Sequence, residues 1–417
     1  MRILFVSQYF WPESFRGNEI AFELASRGHQ VTVLTAKPNY PNGHFFKGYS
    51  FFRPREELVQ GVRIIRTPIF PRGNGRGLLL LVNYASFVFF SFWATLFRLG
   101  RNYDAIFVQQ LSPVFAALPG VWMKQRLGIP LVLWVLDLWP ESITAASKVK
   151  SPVVIGWVTR IVQKIYRSSD VILMSSRSFA GSIRSNLCGV DKPPEYFPNW
   201  AEEVFLRPPN SEAPLPVTLP KGFNLMFAGN LGEAQDFETI LNAAELTLGQ
   251  DVNWLLVGTG RKVQWIEDQV RQRSLANVFL FGHHPIETMP RFFAGADAML
   301  LSLGDNPLFR LTVPAKLQAY MASSKVIIGV LAGEGAEVLS ASGGGMAVAP
   351  GNVPELAKAV LAVRGLSETE RHEMAKKSRR YYDDNFDRGH RIDRLEAILF
   401  QLINHRDPDP SMSRHQC

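Results

Sequence analysis

The stretch that decides the fold is RILFVSQYFWPESFRGNEIAFELASRGHQVTVLT, residues 2–35. Residues 2–7 form a short apolar run typical of a buried parallel strand, and residues 31–35 form a second one. Between them, residues 19–27 repeat apolar side chains at helical spacing, and Gly28 favours the end of that helix. Strand, helix and strand in this order predict a doubly wound parallel α/β sheet.

The same alternation continues along the chain and restarts after residue 220. The predicted strands are residues 105–108, 131–136, 224–228, 253–257, 278–281, 298–301 and 326–328, and a helix is predicted at 236–246. Two series of this kind predict two Rossmann-like domains, 1–197 and 223–390. Residues 198–222 contain six prolines and are predicted to be the irregular linker between them. A tail of residues 405–417 is predicted to be disordered.

Composition excludes several classes of protein. Hydrophobic residues make up 47% of the chain, which is too many for a disordered protein. Two distant cysteines cannot form a disulfide scaffold or a zinc site, so the chain suits a reducing compartment such as the cytoplasm. The net charge of +8 favours an anionic partner. The sequence shows no basic platform with interleaved aromatic residues, which is the pattern that would indicate binding of a nucleic acid.

One segment departs from this pattern. Residues 78–97, LLLLVNYASFVFFSFWATLF, are 20 residues without a charge, which is long enough to span a bilayer. A single span would put the two parts of one domain on opposite sides of the membrane. Two alternatives therefore stay open: a helix buried in the domain core, or a helix partly sunk in a membrane face. Residues 153–167 are predicted to form a second helix with an apolar stripe and basic residues beside it, which suits either a surface helix that covers the sheet or a helix on an anionic leaflet.

Ligands of open parallel sheets bind beyond the carboxyl ends of the strands, so the loops there hold the candidate residues. In the first half, Glu13 and Gly17 follow the first strand, and Gly17 lies where backbone N–H groups can meet an anion. Asp137, Trp139 and Glu141 follow the strand at 131–136. A carboxylate beside a stiff aromatic wall suits a proton acceptor or donor, and we favour that role for Asp137.

In the second half, three glycine turns follow successive strands, which indicates a nucleotide. They contain Gly229, Asn230 and Gly232, then Gly258 and Gly260, and then Gly282 and His283. Arg310 and Lys316 flank a predicted helix start at Pro314, as suits a diphosphate. No strand-end pair of aspartates or other ligand cluster indicates a metal, so no metal or other cofactor is expected.

These stretches together resemble the retaining glycosyltransferases of family 4, which have the GT-B fold. The similarity covers residues 2 to about 402 and is carried by YFWPES before Gly17, DLWPES at 137–142, FAGNLGEAQD at 227–236, LLVGTG at 255–260 and the run 310–322. DLWPES and GNLGEAQD most resemble the L-fucosamine transferases of bacterial O-antigen synthesis. The resemblance implies a nucleotide sugar in the C-terminal domain, an acceptor in the N-terminal domain, and a last helix, 391–404, that returns to the N-terminal domain.

The chain departs from the general pattern of this family. The usual arginine and lysine of the phosphate site fall at Asn230 and Gln235, and the two glutamates spaced by seven residues fall at Leu311 and Ala319. Arg310 and Lys316 are the expected substitutes for the cations. Glu337, or Glu334, is the expected substitute for the glutamate that receives the ribose.

The resemblance implies a transferase that moves a sugar, such as an N-acetylated deoxyhexosamine, from a UDP-sugar to a polyprenyl-diphosphate-linked saccharide. The reaction would take place at the inner face of the plasma membrane during O-antigen, capsule or exopolysaccharide synthesis. We expect Asp137, Glu141, Arg310 and Lys316 to act in catalysis. Arg310 and Lys316 are also predicted donor ligands. The other predicted donor ligands are Gly17, Gly229, Asn230, Gly232, Gly258, Gly260, His283 and Glu337. The predicted acceptor ligands are Glu13, Asp137 and Trp139. The alternatives are a sugar-nucleotide 2-epimerase of the same fold, or a membrane-associated nucleotide-binding scaffold without turnover.

Overall fold

The computed structural model describes residues 1–73, 75, 77–146, 151–207 and 215–405, with the side chains of 144–146 left aside. The chain divides into two compact units. The first unit contains Met1–Pro198 and the residues from Gly389 onward, and the second contains Asn199–Arg388. The predicted tail from 406 and part of the predicted linker, 208–214, lie outside the described residues.

The first unit is built on an eight-stranded sheet with helices between the strands. Its strands are β1 (Arg2–Val6), β2 (Gln30–Ala36), β3 (Glu56–Val59), β4 (Val62–Thr67), β5 (Ala105–Gln110), β6 (Leu131–Val135), β7 (Val171–Met174) and β8 (Glu195–Tyr196). Its helices are α1 (Arg16–Ser26), α2 (Gly77–Phe97), α3 (Leu118–Leu127), α4 (Glu141–Ala146), α5 (Pro152–Ser168) and α6 (Phe179–Leu187).

The strand order in this sheet is β3-β4-β2-β1-β5-β6-β7-β8, and every pair is parallel except β3 with β4. The central strands β5 and β6 are buried along their whole length because helices cover both faces of the sheet. The carboxyl ends of β1, β2, β5 and β6 therefore meet at one edge, and the loops that begin there hold the candidate residues of this unit.

The second unit repeats the design with six parallel strands. They are β9 (Phe223–Ala228), β10 (Val252–Val257), β11 (Val278–Gly282), β12 (Ala298–Ser302), β13 (Ile327–Val330) and β14 (Gly345–Val348), in the order β11-β10-β9-β12-β13-β14. The helices are α7 (Phe237–Leu246), α8 (Val263–Gln272), α9 (Met289–Ala294), α10 (Pro307–Arg310), α11 (Ala315–Ala322), α12 (Glu334–Ser342), α13 (Val353–Gly365) and α14 (Glu368–Phe386). Two clusters of buried apolar residues fill this unit. Two doubly wound sheets confirm the predicted fold class.

The last helix, α15 (Arg388–Asn404), packs on the first unit from Gly389 onward. Arg27, at the end of α1, donates to Asp393 at 2.7 Å and to Glu396 at 2.9 Å. Glu396 also contacts the ring of His29 at 2.6 Å. The chain thus leaves the first unit after β8, builds the second unit and comes back.

The predicted linker of residues 198–222 is wrong in its first part. Residues 199–207 pack into the second unit: the N–H of Ala201 donates to the hydroxyl of Tyr382, and the ring of Phe205 stacks on Phe293 at 5.1 Å. Residues 199–207 contain none of the six prolines and include a 3-10 turn at Glu203–Phe205, so their apolar side chains can pack into the core of the second unit.

The core-helix alternative for residues 78–97 is also wrong. The segment forms α2, and only 28% of its apolar window is buried. Its burial is inverted: the polar residues Asn83, Ser86, Ser91 and Thr95 are buried, whereas nine large apolar side chains are exposed. Those nine are Leu78, Leu79, Leu81, Val82, Phe89, Phe92, Trp93, Leu96 and Phe97. The amino-terminal half of α5 continues this pattern, with Trp157 56% exposed.

Candidate functional site

The loop after β1 carries Glu13, whose carboxylate is tied into the backbone. Its Oε1 accepts the N–H groups of Asn39 and Tyr40, both at 2.7 Å, and its Oε2 accepts the N–H of Phe10 at 3.3 Å. Burial raises the pKa of Glu13 to about 7, although these donors act in the opposite direction. Glu13 therefore holds the loop after β1 to the loop after β2. Its predicted contact with an acceptor stays a prediction.

Asp137 follows β6 and is fixed by three donors. The hydroxyls of Ser112 and Ser142 donate to its Oδ2 and Oδ1, and the indole Nε1–H of Trp139 donates to Oδ2 at 3.1 Å. The amide of Gln110 donates to its carbonyl at 3.0 Å. The residue stays partly exposed. A carboxylate of fixed orientation at the ligand edge of a sheet can orient a hydroxyl group or accept its proton.

The two other candidate residues of this loop, Trp139 and Glu141, hold the loop in place around Asp137. Glu141 begins α4 and accepts the hydroxyl of Ser182 in α6 at 2.5 Å, which anchors the loop to a neighbouring helix. The ring of Trp139 is buried and lies 5.7 Å from that of Phe115, which in turn lies 5.6 Å from Trp157. An aromatic row therefore connects the Asp137 loop with the exposed apolar end of α5.

Sequence reasoning missed a second cluster at this edge, made by Tyr9, Tyr40, Tyr84 and Arg72. The rings of Tyr9 and Tyr40 lie 5.7 Å apart, and the guanidinium of Arg72 lies 4.8 Å from the centre of the Tyr40 ring. Tyr84 shares a hydrogen bond with Tyr9, and burial raises its pKa, with the charge of Arg72 lowering it and that of Asp137 raising it. Four separate segments supply these residues, so no local motif could reveal them.

Gly17 lies in the first turn of α1, not ahead of it as predicted. A Cβ at this position would lie 2.1 Å from Oε1 of Gln109 and 3.0 Å from the ring of Phe5. The glycine is thus explained by the close packing of α1 on β1 and β5. Its predicted contact with the donor stays a prediction.

In the second unit, the glycine turns after β9 and β10 interlock. Gly229 and Gly258 have φ of +138° and +143°, and a Cβ on Gly258 would lie 1.8 Å from the carbonyl oxygen of Gly229. A Cβ on Gly260 would lie 2.2 Å from the carbonyl oxygen of Leu231. These close backbone approaches explain why glycine is needed at each point.

Most backbone amides of the first turn are used by the fold itself. The N–H of Gly229 donates to Val257 at 2.8 Å, that of Leu231 to Thr259 at 2.9 Å, and that of Gly232 to the side chain of Gln235 at 3.1 Å. Within Gly229–Gly232, all of which the structure describes, Asn230 is the one residue whose amide has no hydrogen bond. The fold itself uses three of these four amides, so only that of Asn230 is left for the predicted phosphate contact, which stays a prediction.

Lys316, in α11, occupies the space that a side chain on Gly229 would take. A Cβ on Gly229 would lie 2.5 Å from Cε and 2.6 Å from Nζ of Lys316, and Nζ lies 3.9 Å from the centre of the Phe227 ring. No carboxylate pairs with this ammonium group in the part of the chain that the structure describes. Burial lowers the pKa of Lys316 to about 7. An unpaired cation at the carboxyl end of β9 is suited to an anionic ligand.

Arg310 differs from Lys316, although the two cations were predicted to act as a pair. Arg310 ends the short helix α10, is exposed, and forms a fork with Asp305, with N–O distances of 2.8 to 3.0 Å. An exposed pair of this kind is worth about 0–1 kcal/mol, so a stronger anion can take the place of Asp305. Lys316 is free for a ligand as it stands, and Arg310 becomes free only after it leaves Asp305.

The remaining predicted donor ligands lie on the surface of the second unit. Glu337 is exposed on α12, one turn after Glu334, which is buried in the first turn of the same helix. A Cβ on Gly333 would lie 1.9 Å from the carbonyl oxygen of Arg310, so the start of α12 packs against the segment that leads to Lys316. Burial at that position favours Glu334 over Glu337 as the substitute for the lost glutamate. His283 is exposed after β11.

Among the described residues, no group of three His, Cys, Asp or Glu side chains could hold a metal ion. The expectation that no metal takes part stays a prediction.

Comparisons with known proteins agree with this geometry. Residues 16–200 match the family described as Glycosyl transferase 4-like domain, and residues 222–364 match Glycosyl transferases group 1. The chain is 28% identical over 276 residues to the probable glycosyltransferase WbjE of Pseudomonas aeruginosa, covering 64% of this chain and 67% of that protein. It is 24% identical over 316 residues to the putative colanic acid biosynthesis glycosyl transferase WcaI of Escherichia coli K12, covering 72% and 76%.

Solved structures show the same fold across nearly the whole chain. Sucrose-phosphate synthase from Thermosynechococcus elongatus superposes with a TM-score of 0.71 at 16% identity, covering 97% of this chain and 99% of that one. Anabaena HepE in complex with UDP and glucose superposes with 0.65 at 16% identity, covering 96% and 99%. WaaG, a glycosyltransferase involved in lipopolysaccharide biosynthesis, superposes with 0.62 at 13% identity, covering 95% and 99%.

Two doubly wound domains, one with an unpaired cation beside interlocked glycine turns, define a glycosyltransferase of the GT-B fold. The chain belongs to the family-4 glycosyltransferases, since the two domain families together cover most of its length and the curated relatives are named as glycosyltransferases. It is an enzyme, and the epimerase and scaffold alternatives are not favoured.

Proposed function

We propose that the protein is a retaining glycosyltransferase that moves a sugar from a UDP-sugar to a lipid-linked saccharide in the synthesis of a cell-surface polysaccharide. The observation that carries the proposal is Lys316, a cation without a carboxylate partner among the described residues, set against Gly229 at the ligand edge of the second sheet. The names of WcaI and WaaG support the pathway class, and the UDP in HepE supports the nucleotide. The resemblance to L-fucosamine transferases supports an N-acetylated deoxyhexosamine as the sugar.

In this proposal the second unit binds the donor. The bond between the anomeric carbon and the β-phosphate oxygen breaks, and protonated Lys316 neutralises the charge that develops on the diphosphate. Arg310 adds a second cation once the diphosphate displaces Asp305. No metal ion is required in this scheme because these side chains supply the positive charge.

The first unit binds the acceptor. Its hydroxyl oxygen forms the new bond on the face that the diphosphate leaves, which retains the anomeric configuration. The hydroxyl proton passes to a phosphate oxygen of the leaving UDP or to Asp137, whose carboxylate is held ready by Ser112, Ser142 and Trp139. Glu141 acts indirectly, by anchoring the Asp137 loop to α6.

We further propose that the first unit binds the inner face of the plasma membrane, and the burial of α2 and the charge around it support this. The inverted burial of α2 places large apolar side chains outward and small polar ones inward, which is stable in a lipid environment and costly in water. Residues 58–169, which include α2, α3 and α5, contain 13 Lys and Arg against 3 Asp and Glu, a net charge of +10 compared with +8 for the whole chain. An apolar face within so basic a region fits an anionic leaflet.

Thermal unfolding with UDP, GDP and ADP tests the donor assignment. We expect selective stabilisation by UDP, and at a hundredfold excess over Kd the gain in the free energy of unfolding is about 2.7 kcal/mol. A preference for GDP or ADP would contradict the UDP assignment alone. No response to any of the three nucleotides would contradict the donor site itself.

A further inference from the structure

The first unit joins an apolar surface to a polar pocket, and α2 belongs to both. Asn83 is buried in α2, donates to the carbonyl of Phe70 at 2.6 Å and accepts from the side chain of Gln8 at 3.1 Å. Gln8 lies two residues after the end of β1 and directly precedes Tyr9. The exposed face of α2 is thus fixed to the edge of the sheet where Asp137 lies.

Arg72 lies at this junction. Its N–H donates to Oδ1 of Asn39 at 3.1 Å, and the amide of Asn83 reaches the same oxygen at 3.4 Å. Its guanidinium lies over the ring of Tyr40, so its position is set by stacking. No carboxylate pairs with Arg72 across the ranges that the structure covers, whereas Arg2, Arg27, Arg63 and Arg66 of the same unit all have one.

The groups around Arg72 are suited to an anion with an apolar extension. Tyr9, Tyr40 and Tyr84 supply hydroxyl groups and aromatic faces beside the guanidinium. Leu79, in the first turns of α2, lies under the backbone of Gly73, the residue after Arg72. Beyond it the exposed side chains of α2 continue without any charge. A guanidinium is the side chain best matched to the oxygens of a phosphate.

We propose that Arg72, held over Tyr40 at the start of α2, binds the phosphate through which the acceptor saccharide is joined to its lipid. The lipid chain lies along the exposed face of α2, and the saccharide extends past Tyr84 toward Asp137. This inference rests on the proposed lipid-linked acceptor. It assigns a specificity-determining residue that recognises the anionic head of that lipid, separately from the donor diphosphate near Lys316.

The test uses farnesyl diphosphate, a short isoprenoid diphosphate, titrated into the full chain by calorimetry. Saturating UDP is present throughout, so that the diphosphate cannot occupy the donor site. Two control ligands are titrated separately: farnesol has only the apolar chain of this probe, and inorganic pyrophosphate has only its anionic group. We expect farnesyl diphosphate to bind more tightly than either, because only this probe contacts Arg72 and α2 together.

Arg72→Gln is expected to weaken farnesyl diphosphate binding about tenfold, in line with the loss of a charge-assisted pair of hydrogen bonds, and to leave farnesol unchanged. Arg72→Lys keeps the positive charge but lacks the two parallel N–H donors of the guanidinium, and it is expected to lose less affinity for farnesyl diphosphate than Arg72→Gln. The matched control is Arg101→Gln, because Arg101 is an exposed cation just before Asp104 at the opposite edge of the sheet. It removes the same charge from the same basic region and is expected to change the affinity less than twofold.

Equal losses for Arg72→Gln and Arg101→Gln would overturn the subsite, since they would indicate general attraction by the basic region. Binding of farnesyl diphosphate no tighter than farnesol would also overturn it, even if UDP binds normally and the donor assignment stands. Failure of UDP to bind is a separate outcome that overturns the proposed function. Vesicles of phosphatidylglycerol distinguish binding of the acceptor phosphate from binding of ordinary lipid headgroups. We expect Arg72→Gln and Arg101→Gln to lose the same small fraction of their affinity for these vesicles.

Discussion

Lys316→Met is expected to make the protein more stable and to weaken its binding of UDP. In the unfolded chain the pKa of a lysine is 10.5, and burial lowers that of Lys316 to about 7 in the folded protein. The folded protein therefore binds the proton of Lys316 less tightly than the unfolded chain. The resulting loss of stability is largest below pH 7, where the lysine is protonated in both the folded and the unfolded state. The difference between the two pKa values corresponds to about 5 kcal/mol at most.

The sign of this effect gives a distinctive pH profile. Methionine has a similar length and no charge, so the variant avoids the cost of burying an ammonium group. We expect the free energy of unfolding to rise by about 2–5 kcal/mol at pH 6, and the gain to decline from pH 7 and vanish near pH 10.5. Chemical denaturation of both proteins at several pH values measures the difference.

Binding of UDP should change in the opposite sense. A diphosphate needs protonated Lys316, so the affinity of the wild type for UDP is expected to fall by up to about tenfold per pH unit between pH 7 and pH 9. Lys316→Met should bind UDP about 10–100-fold more weakly at pH 7 and lack this pH dependence, because a hydrogen bond to a charged group is worth about 1.5–3 kcal/mol. Calorimetric titration at pH 7, 8 and 9 measures both.

Lys325→Met is the matched control. Lys325 is also a partly buried lysine of the second unit, and burial lowers its pKa to about 8, but it precedes β13 and donates to the carbonyl of Ala296 at 2.8 Å. It therefore lies at the edge of the sheet opposite to the glycine turns, and its loss should leave UDP affinity unchanged. The reasoning is refuted if Lys316→Met binds UDP with the affinity and pH profile of the wild type, or if both variants lose affinity equally.

Two further predictions concern carboxylates of the first unit. Asp137→Asn is expected to lower kcat for transfer by about 10²–10⁴-fold and to leave UDP affinity unchanged. The amide cannot take a proton, and its NH2 group faces the hydroxyl of Ser112 or Ser142 with a donor in place of an acceptor. A loss of UDP binding, or an unchanged kcat, would contradict the role of Asp137. Glu13→Gln is expected to remove a loss of stability with rising pH. Burial raises the pKa of Glu13 from 4.5 to about 7. The free energy of unfolding of the wild type therefore falls as the pH rises above 4.5, and the loss reaches about 3 kcal/mol above pH 7. Thermal unfolding at pH 5 and pH 8 compares the two proteins, and parallel pH profiles would show that Glu13 is not the cause.

The sequence by itself determined the fold class. Central strands such as β6, with the sequence LVLWV, are apolar throughout because both faces of a parallel sheet are covered, and that pattern needs no tertiary information. It did not predict β4, because Arg66 interrupts the apolar run. In the structure Arg66 is fully buried and paired with Glu57 of β3, and a charge hidden in this way cannot be distinguished locally from a surface charge.

The sequence also located the loops that hold the candidate site, since the carboxyl ends of successive strands always share one edge. Asp137 and Lys316 were found in this way. Only the tertiary structure decided how the two predicted cations differ, with Arg310 paired to Asp305 and Lys316 left without a carboxylate among the described residues. It alone brought Arg72 beside Tyr40 and turned the large apolar side chains of α2 outward. The physical reason is that periodicity specifies which residues share a face, whereas pairing, burial and the choice of outward face depend on segments far apart in the chain.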